Sequence, residues 1–350
     1  MPRKKILPPS LQNDIAYQET EKLIEQMEKK IRKEYLLAME QTEEKLKKYL
    51  EAYDRKNEQK LKDVAAGRMT KAEYTQWRKG QIMIGKRWQE MADTLTEDYM
   101  NTRQIAESIV KGYMPEVYAL NHNYATFLVE KESLIDTSYT LYNAQAVENL
   151  MRTTKVLPAP SYLTQQKLRE GKLKRWNKQK INSAVTQGIL QGENAYKVAK
   201  RLREVTTMDM NASIRNARTA ITYAQNKGRL DAFKRAEGMG INQGKQWIAC
   251  MDGRTRHWHV QLDGEVVPLD EPFVNDYGEI DFPGDNGADP ANVYNCRCAM
   301  KSVLMGFDFT KHSNDWFQYR KNDELGDMTY DEWKQQHLDW LRRHPRKKKS

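Results

Sequence analysis

Residues 244–304 read GKQWIACMDGRTRHWHVQLDGEVVPLDEPFVNDYGEIDFPGDNGADPANVYNCRCAMKSVL, and the fold turns on this stretch. It contains all three cysteines of the chain, Cys250, Cys296 and Cys298, and two of its six histidines, His257 and His259. Here the apolar period falls to two. Residues 246–251 and 298–304 predict strands, and residues 260–267 predict a hairpin turning at Asp263 and Gly264. Residues 268–291 form a Gly-, Pro- and Asp-rich loop too long for a plain connection, which implies a function or a tether. Between Arg256 and Arg297 there is no Lys or Arg, but there are nine acids: Asp263, Glu265, Asp270, Glu271, Asp276, Glu279, Asp281, Asp285 and Asp289.

The rest of the chain is basic and helical. The net charge is +10 over 350 residues, so the whole cationic surplus lies outside the acidic segment. Such a body suits an anionic partner such as nucleic acid, but for the N-terminal helices the preferred reading is Lys and Glu on solvated helix faces. With 39% hydrophobic and 30% charged residues and a mean hydropathy of -0.89, elongated helices with much solvated surface are expected, not one globule. No apolar run reaches bilayer length and the N-terminus lacks the apolar core of a signal peptide, so cytosolic synthesis and no membrane partner are expected. Three cysteines are too few for a disulfide framework and fit a reducing compartment.

Working outward, residues 211–238 predict a helix opening on Asn211 and closing on Gly238 and Gly240, with a shorter helix at 194–205 before it. The small, polar face from Ala217 to Asn226 suits close packing on a sheet. Upstream, Lys172, Lys174, Arg175, Lys178 and Lys180 fall within nine residues with few acids, a candidate DNA contact set against an ordinary solvated face. The clearest break is Leu157, Pro158, Ala159, Pro160 and Ser161. Before it, residues 15–57 contain no Gly or Pro and place Leu23, Ile24, Met27, Ile31, Tyr35, Met39, Leu46, Leu50 and Tyr53 on one face of a helix about 60 Å long. Thr70 and Glu73 form a capping box opening a second helix to about Met100, and an antiparallel hairpin of the two is the economical packing. Past Gly112 the pattern predicts short helical stretches whose aromatics, Tyr113, Tyr118, Tyr124, Phe127, Tyr139 and Tyr142, fill a core. At the C-terminus a capping box of Thr329 and Glu332 opens a helix, followed by a basic tail with Arg346, Lys347, Lys348 and Lys349 as a second DNA-contact candidate.

The expected fold class is therefore mainly α with a small α+β module: a long helical N-terminal region, as hairpin or bundle, then a C-terminal module with a short antiparallel β-sheet and long loops. The expected organisation is a docking region over 1–157, a module over 158–305 with helices in 161–240 and its β and loop part in 244–304, and a C-terminal helix and basic tail over 306–350.

One ordered set of residues resembles the phage Mu protein F-like family of minor head, or head morphogenesis, proteins of tailed bacteriophages. The set is Ala217, Arg218 and Thr219; Trp247 to Asp252; Arg254, Thr255 and Arg256; His259 to Gly264; Pro283, Gly284 and Asp285; and Asn295, Cys296, Arg297 and Cys298. It covers roughly residues 180–305, and its order is what makes it specific. The resemblance implies a virion protein made in the bacterial host cytoplasm and located in the head interior or at the portal vertex. Its implied partners are the portal, capsid and scaffold proteins, and its implied role is helping DNA packaging or ejection. No small-molecule substrate and no enzymatic reaction are implied.

The residues also admit sharper chemistry. Cys250, His257 or His259, Cys296 and Cys298 are a candidate structural zinc site, since thiolate and imidazole suit the tetrahedral ion; buried thiols or a disulfide are the alternative, and Cys-x-Cys is not the usual spacing. Asp252, His259 and Asp285 are the candidates for a hydrolytic centre, as in a metal-dependent nuclease or toxin-like enzyme acting on nucleic acid. Against that, His259 is expected to bond loop backbone or Asp285, and Arg254, Arg256 and Arg297 to pair with Asp263, Asp281 or Asp285. A coiled-coil scaffold is the third reading.

Overall fold

The computed structural model describes residues 8–83, 85–137, 139–153, 175–184, 187, 191, 195–307 and 320–344. The break at 157–161, Lys172, Lys174 and the tail residues Arg346 to Lys349 lie outside the described residues. The helices are Pro9–Gln12 (α1), Ile15–Ala65 (α2), Lys71–Met83 (α3), Gly85–Ser133 (α4), Ala144–Thr153 (α5), Ala195–Glu237 (α6), His257–Gln261 (α7), Pro290–Val293 (α8) and Tyr330–Arg343 (α9), with residues 175–184 also helical. The strands are Ile135–Asp136 (β1), Ile241–Ile248 (β2), Val266–Pro268 (β3), Phe273–Asn275 (β4), Gly278–Ile280 (β5), Ala299–Phe307 (β6) and Arg320–Lys321 (β7). The chain is mainly α with a small antiparallel module, as its periodicity implies.

Two helices are longer than their sequence suggests. α4 runs without a break through Gly112 and Pro115, where short stretches were expected. Proline removes one backbone donor, but Met114, Val117, Tyr118, Ala119, Ala125 and Phe127 are all buried along the same helix, and that burial outweighs the lost bond. α6 is one helix where two were expected. Thr206 and Thr207, in the gap between the two expected helices, donate their hydroxyls to Leu202 O at 3.0 Å and Arg203 O at 2.8 Å and remain helical.

The chain divides into two compact units, one formed by the described parts of Met1–Met27, Val110–Ser161 and Arg215–Ser350, the other by those of Glu28–Ile109 and Tyr162–Ile214. The second unit is all helical. Within it Tyr74 donates to Asn57 at 2.6 Å and Lys45 pairs with Asp98 at 2.6 Å, so α2 meets α3 and α4 in antiparallel sense. The capping box at Thr70 and Glu73 is formed, with bonds of 2.8 and 3.1 Å. The apolar stripe of α2 is inside, as Ile31, Tyr35, Met39 and Leu46 are buried. Leu46 packs with Ala92, Leu95, Tyr99, Ile181, Val198 and Leu202. Tyr35 donates to Asp209 at 2.9 Å and lies 2.7 Å from Ser213 Oγ.

The first unit holds the sheet, whose strand order is β3-β2-β6, all antiparallel. Gln246 of β2 faces Val266 on one side and Lys301 on the other, and Trp247 faces Met300. The hairpin expected over 260–267 is not formed at its start, since residues 257–261 are helical: α7 carries His259 and, just past it, Leu262 inward, three residues apart on one face. The turn at Asp263 and Gly264 exists, but it joins a helix to β3. The long loop is not structureless, since β4 and β5 pair within it, Phe273 opposite Ile280. Trp247, Ala249, Leu262, Phe273, Ile280, Cys296 and Cys298 form the core of this part. A second cluster of the same unit gathers Tyr124, Phe127, Tyr139, Tyr330 and Trp333, and the buried Glu130 accepts from Trp333 Nε1 at 2.6 Å and Thr137 N at 2.9 Å. Gly228 lets α6 approach α4: a Cβ there would stand 2.6 Å from Tyr118 O.

Candidate functional site

The motif residues converge where α6 meets the segment leading into β6. Thr219 Oγ1 accepts from Asn295 N at 2.9 Å, and Thr222 donates to Cys296 O at 2.8 Å. Asn226 Nδ2 donates to Pro283 O at 2.9 Å and Cys298 O at 3.2 Å, while its Oδ1 accepts from Met300 N at 3.2 Å. Residues 219, 222 and 226 share a helix face, so one stripe of α6 satisfies the backbone of a segment that has no strand partner there. Gly284 completes this contact. It lies at φ +87, and a Cβ would come within 3.0 Å of Tyr223 N.

The three thiols are all buried. His259 Nδ1 lies 3.7 Å from Cys296 Sγ and 3.6 Å from Cys298 Sγ, and the three side chains offer ligand atoms all within 4.8 Å of one another. Among the described residues no carboxylate joins this group. The Cys298 thiol, and then His259, holds Cys296 well below the usual thiol range against the effect of burial. Its bond to Cys296, together with burial, drives Cys298 well above that range. His259 stands T-shaped to Trp247 at 5.2 Å, and its Nε2 is buried with no hydrogen-bond partner.

Not every predicted residue joins. His257 is exposed. Cys250 Sγ is not among these ligand atoms; it accepts from Tyr17 Oη at 3.7 Å, while the same hydroxyl donates to Arg297 O at 3.1 Å. Asp252 is not beside His259 as a catalytic partner: Arg297 grips it in bidentate fashion at 2.9 and 2.6 Å. Burial raises the Asp252 carboxyl, but the bond and charge of Arg297 outweigh it and hold it below the usual range. The expected partners of the arginines are thus corrected. Arg297 and Arg254 both turn to Asp252, the latter at 3.6 Å, and Arg256 donates to Tyr294 O. Asp263 and Asp285 serve backbone, accepting from Ala249 N at 2.8 Å and Gly287 N at 2.9 Å, because acids in tight turns find amides closer than cations. Arg218 pairs with Glu21 at 3.2 Å.

Of the basic candidates, Lys178 pairs with Asp93 at 2.5 Å, Lys180 lies over the Trp176 ring at 5.6 Å and Arg175 is exposed. Sequence reasoning missed Asp14 and Arg229. They form a buried bidentate pair at 2.6 and 2.9 Å, with Arg229 also donating to Asn121 Oδ1 at 2.9 Å and Met300 O at 3.0 Å. Arg229 lies in the ordinary pattern of α6, and Asp14 caps α2 by accepting from Tyr17 N at 2.8 Å, so the local sequence flags neither as half of a buried pair. Lys245, buried on β2 over the Phe273 ring at 5.5 Å, has its ammonium pKa lowered by burial and was also missed.

Comparison with known proteins points the same way. A family model described as "Phage Mu protein F like protein" matches residues 179–301. The minor head protein GP7 of Bacillus phage SPP1 is 32% identical over 132 residues, covering 36% of this chain and 41% of that protein. A protein of Enterococcus faecalis named NAD(+)--arginine ADP-ribosyltransferase EFV is 26% identical over 231 residues, 65% of this chain and 44% of that protein. An uncharacterized protein of Haemophilus influenzae is 24% identical over 202 residues, 57% of this chain and 39% of that protein. The chain thus spans less than half the length of each of these relatives. No solved structure matches it. The matched segment contains α6, the sheet strands β2 and β3, the Cys and His cluster and the start of β6, so the likeness to the phage Mu protein F-like family lies in residues 179–301.

Proposed function

We propose that this chain works as a minor head protein of a tailed phage. It enters the particle in few copies during prohead assembly, sits at or near the portal, and assists DNA packaging or ejection without a reaction of its own. The observation that carries this reading is the use made of the motif residues. Thr219, Asp252, Asp263, Gly284, Asp285 and Arg297 are each engaged in bonding or packing backbone and side chains of their own module, which is the role of a structural clamp. The helices before residue 157 supply docking surface, which the exposed Leu36, Leu37, Leu61 and Ile105 support. The basic segments around the module, including Arg175, are the candidates for DNA.

Co-expression of the chain with the portal, scaffold and major capsid proteins of its own phage tests this. The chain is expected to sediment with proheads that contain portal and to be absent from portal-less shells. Its absence from portal-containing proheads would overturn the portal assignment. The name of the Enterococcus relative defines a second reading, arginine ADP-ribosylation. Incubating the purified chain with labelled NAD+ and an arginine-bearing acceptor is expected to transfer no label, and transfer would end the non-enzymatic reading.

A further inference from the structure

We propose that His259, Cys296 and Cys298 bind a single zinc ion that closes the acidic loop of the module. The ligand atoms are already near their coordinated positions. A tetrahedral ion with Zn–S of about 2.3 Å and Zn–N of about 2.0 Å sets N···S edges of about 3.5 Å. The edges from His259 Nδ1 are 3.7 Å to Cys296 and 3.6 Å to Cys298, so these two edges contract by only tenths of an ångström around the metal, and the two sulfurs lie within 4.8 Å of one another.

Charge and surroundings agree with this ion. Two thiolates and a neutral imidazole balance a divalent cation to zero, which suits a site whose ligands are each 2% exposed or less. Two sulfurs, one nitrogen and no carboxylate select zinc over calcium or magnesium. The ligands are also held from behind. Cys298 N donates to Cys296 Sγ at 3.4 Å, and Asn295, in the left-handed region at φ 57, turns the chain so that Cys296 faces inward. Thr219 Oγ1 fixes that turn through the Asn295 amide at 2.9 Å. The metal would join α7 to the segment before β6 and so close the intervening loop. Cys250 is not a ligand: its sulfur is engaged by Tyr17, and the three protein ligands found among the described residues leave the fourth position to water.

The test is metal analysis of the full chain purified in reductant and zinc, with Cys296→Ser, Cys298→Ser, His259→Asn and Cys250→Ser beside it. Wild type and Cys250→Ser are expected to hold one equivalent, and the two serine variants at 296 and 298 to fall to background with a lowered Tm. Zinc missing from the wild type, kept by Cys296→Ser, or lost from Cys250→Ser would each overturn the assignment. Because a ligand variant can fail to fold, Co2+ titration of the unmutated chain gives an independent readout. Thiolate-to-cobalt charge transfer with tetrahedral d–d bands is expected, and a spectrum without thiolate charge transfer overturns the proposal. So does an intact mass two hydrogens below the reduced value with no bound metal, the mark of a Cys296–Cys298 disulfide.

Discussion

The all-helical unit and the motif-bearing module hold themselves together by different means. In the helical unit, apolar faces meet at Leu46, Leu95, Tyr99 and Val198, and much of the charge is on the outside, as with Lys48 and Glu44 at 2.7 Å. In the module the decisive contacts are polar and buried. Thr222 and Asn226 bond carbonyls of the 283–298 region, Arg297 grips Asp252, and Arg229 grips Asp14. A helix satisfies its own backbone, so its sequence needs only a stripe. A chain of short strands and turns does not, and it must recruit side chains to do so.

That contrast can be broken at chosen points. The largest effect is expected from Asp14→Ala, which leaves the Arg229 guanidinium buried and unpaired; denaturant unfolding should show a loss of about 3–5 kcal/mol. Leu95→Ala, in the helical unit, should cost about 3 kcal/mol through the cavity it leaves, with the fluorescence of the module's Trp247 environment unchanged in the native baseline.

A smaller effect depends on pH. Burial, and then the charges of Arg235 and Lys227, lower the pKa of His122 from 6.5 to about 3. Above pH 6.5 the ring is neutral in both folded and unfolded chains and contributes no pH dependence. Below it the unfolded chain takes a proton that the folded chain refuses, so stability falls by up to about 1.4 kcal/mol per pH unit until the folded ring also titrates. His122→Gln should remove about 2 kcal/mol of the stability lost between pH 6.5 and 5, read as the difference between the two unfolding profiles. Smallest of all, Lys48→Ala, on the solvent face of α2, should leave the unfolding midpoint where it is.

The same contrast explains what could be read in advance. The stripe from Ile24 to Leu46, the capping boxes at Thr70 and Thr329, and the strand leading out of Cys298 were legible because each is a local pattern. The continuation of α4 through Pro115 was not, because the burial that outweighs the proline is tertiary. Nor was the helix at 257–261, since a hairpin was read from residue 260 onward and nothing local marked His259 and Leu262 as one inward face. In the module the motif residues could be named, but their partners could not. Arg297 chose Asp252, forty-five residues away, over the acids nearer to it in sequence, and that choice is made by where the chain turns at Asn295.

The central claim is that the motif segment is a clamped structural element and not a mobile reactive loop. Native-state hydrogen exchange at Asn295, Cys298 and Met300 tests it most directly, since these amides bond to Thr219 Oγ1, Cys296 Sγ and Asn226 Oδ1. The account predicts that all three exchange as slowly as the central amides of β2, with protection lost in Asn226→Ala. Exchange at the rate of an exposed loop would contradict it.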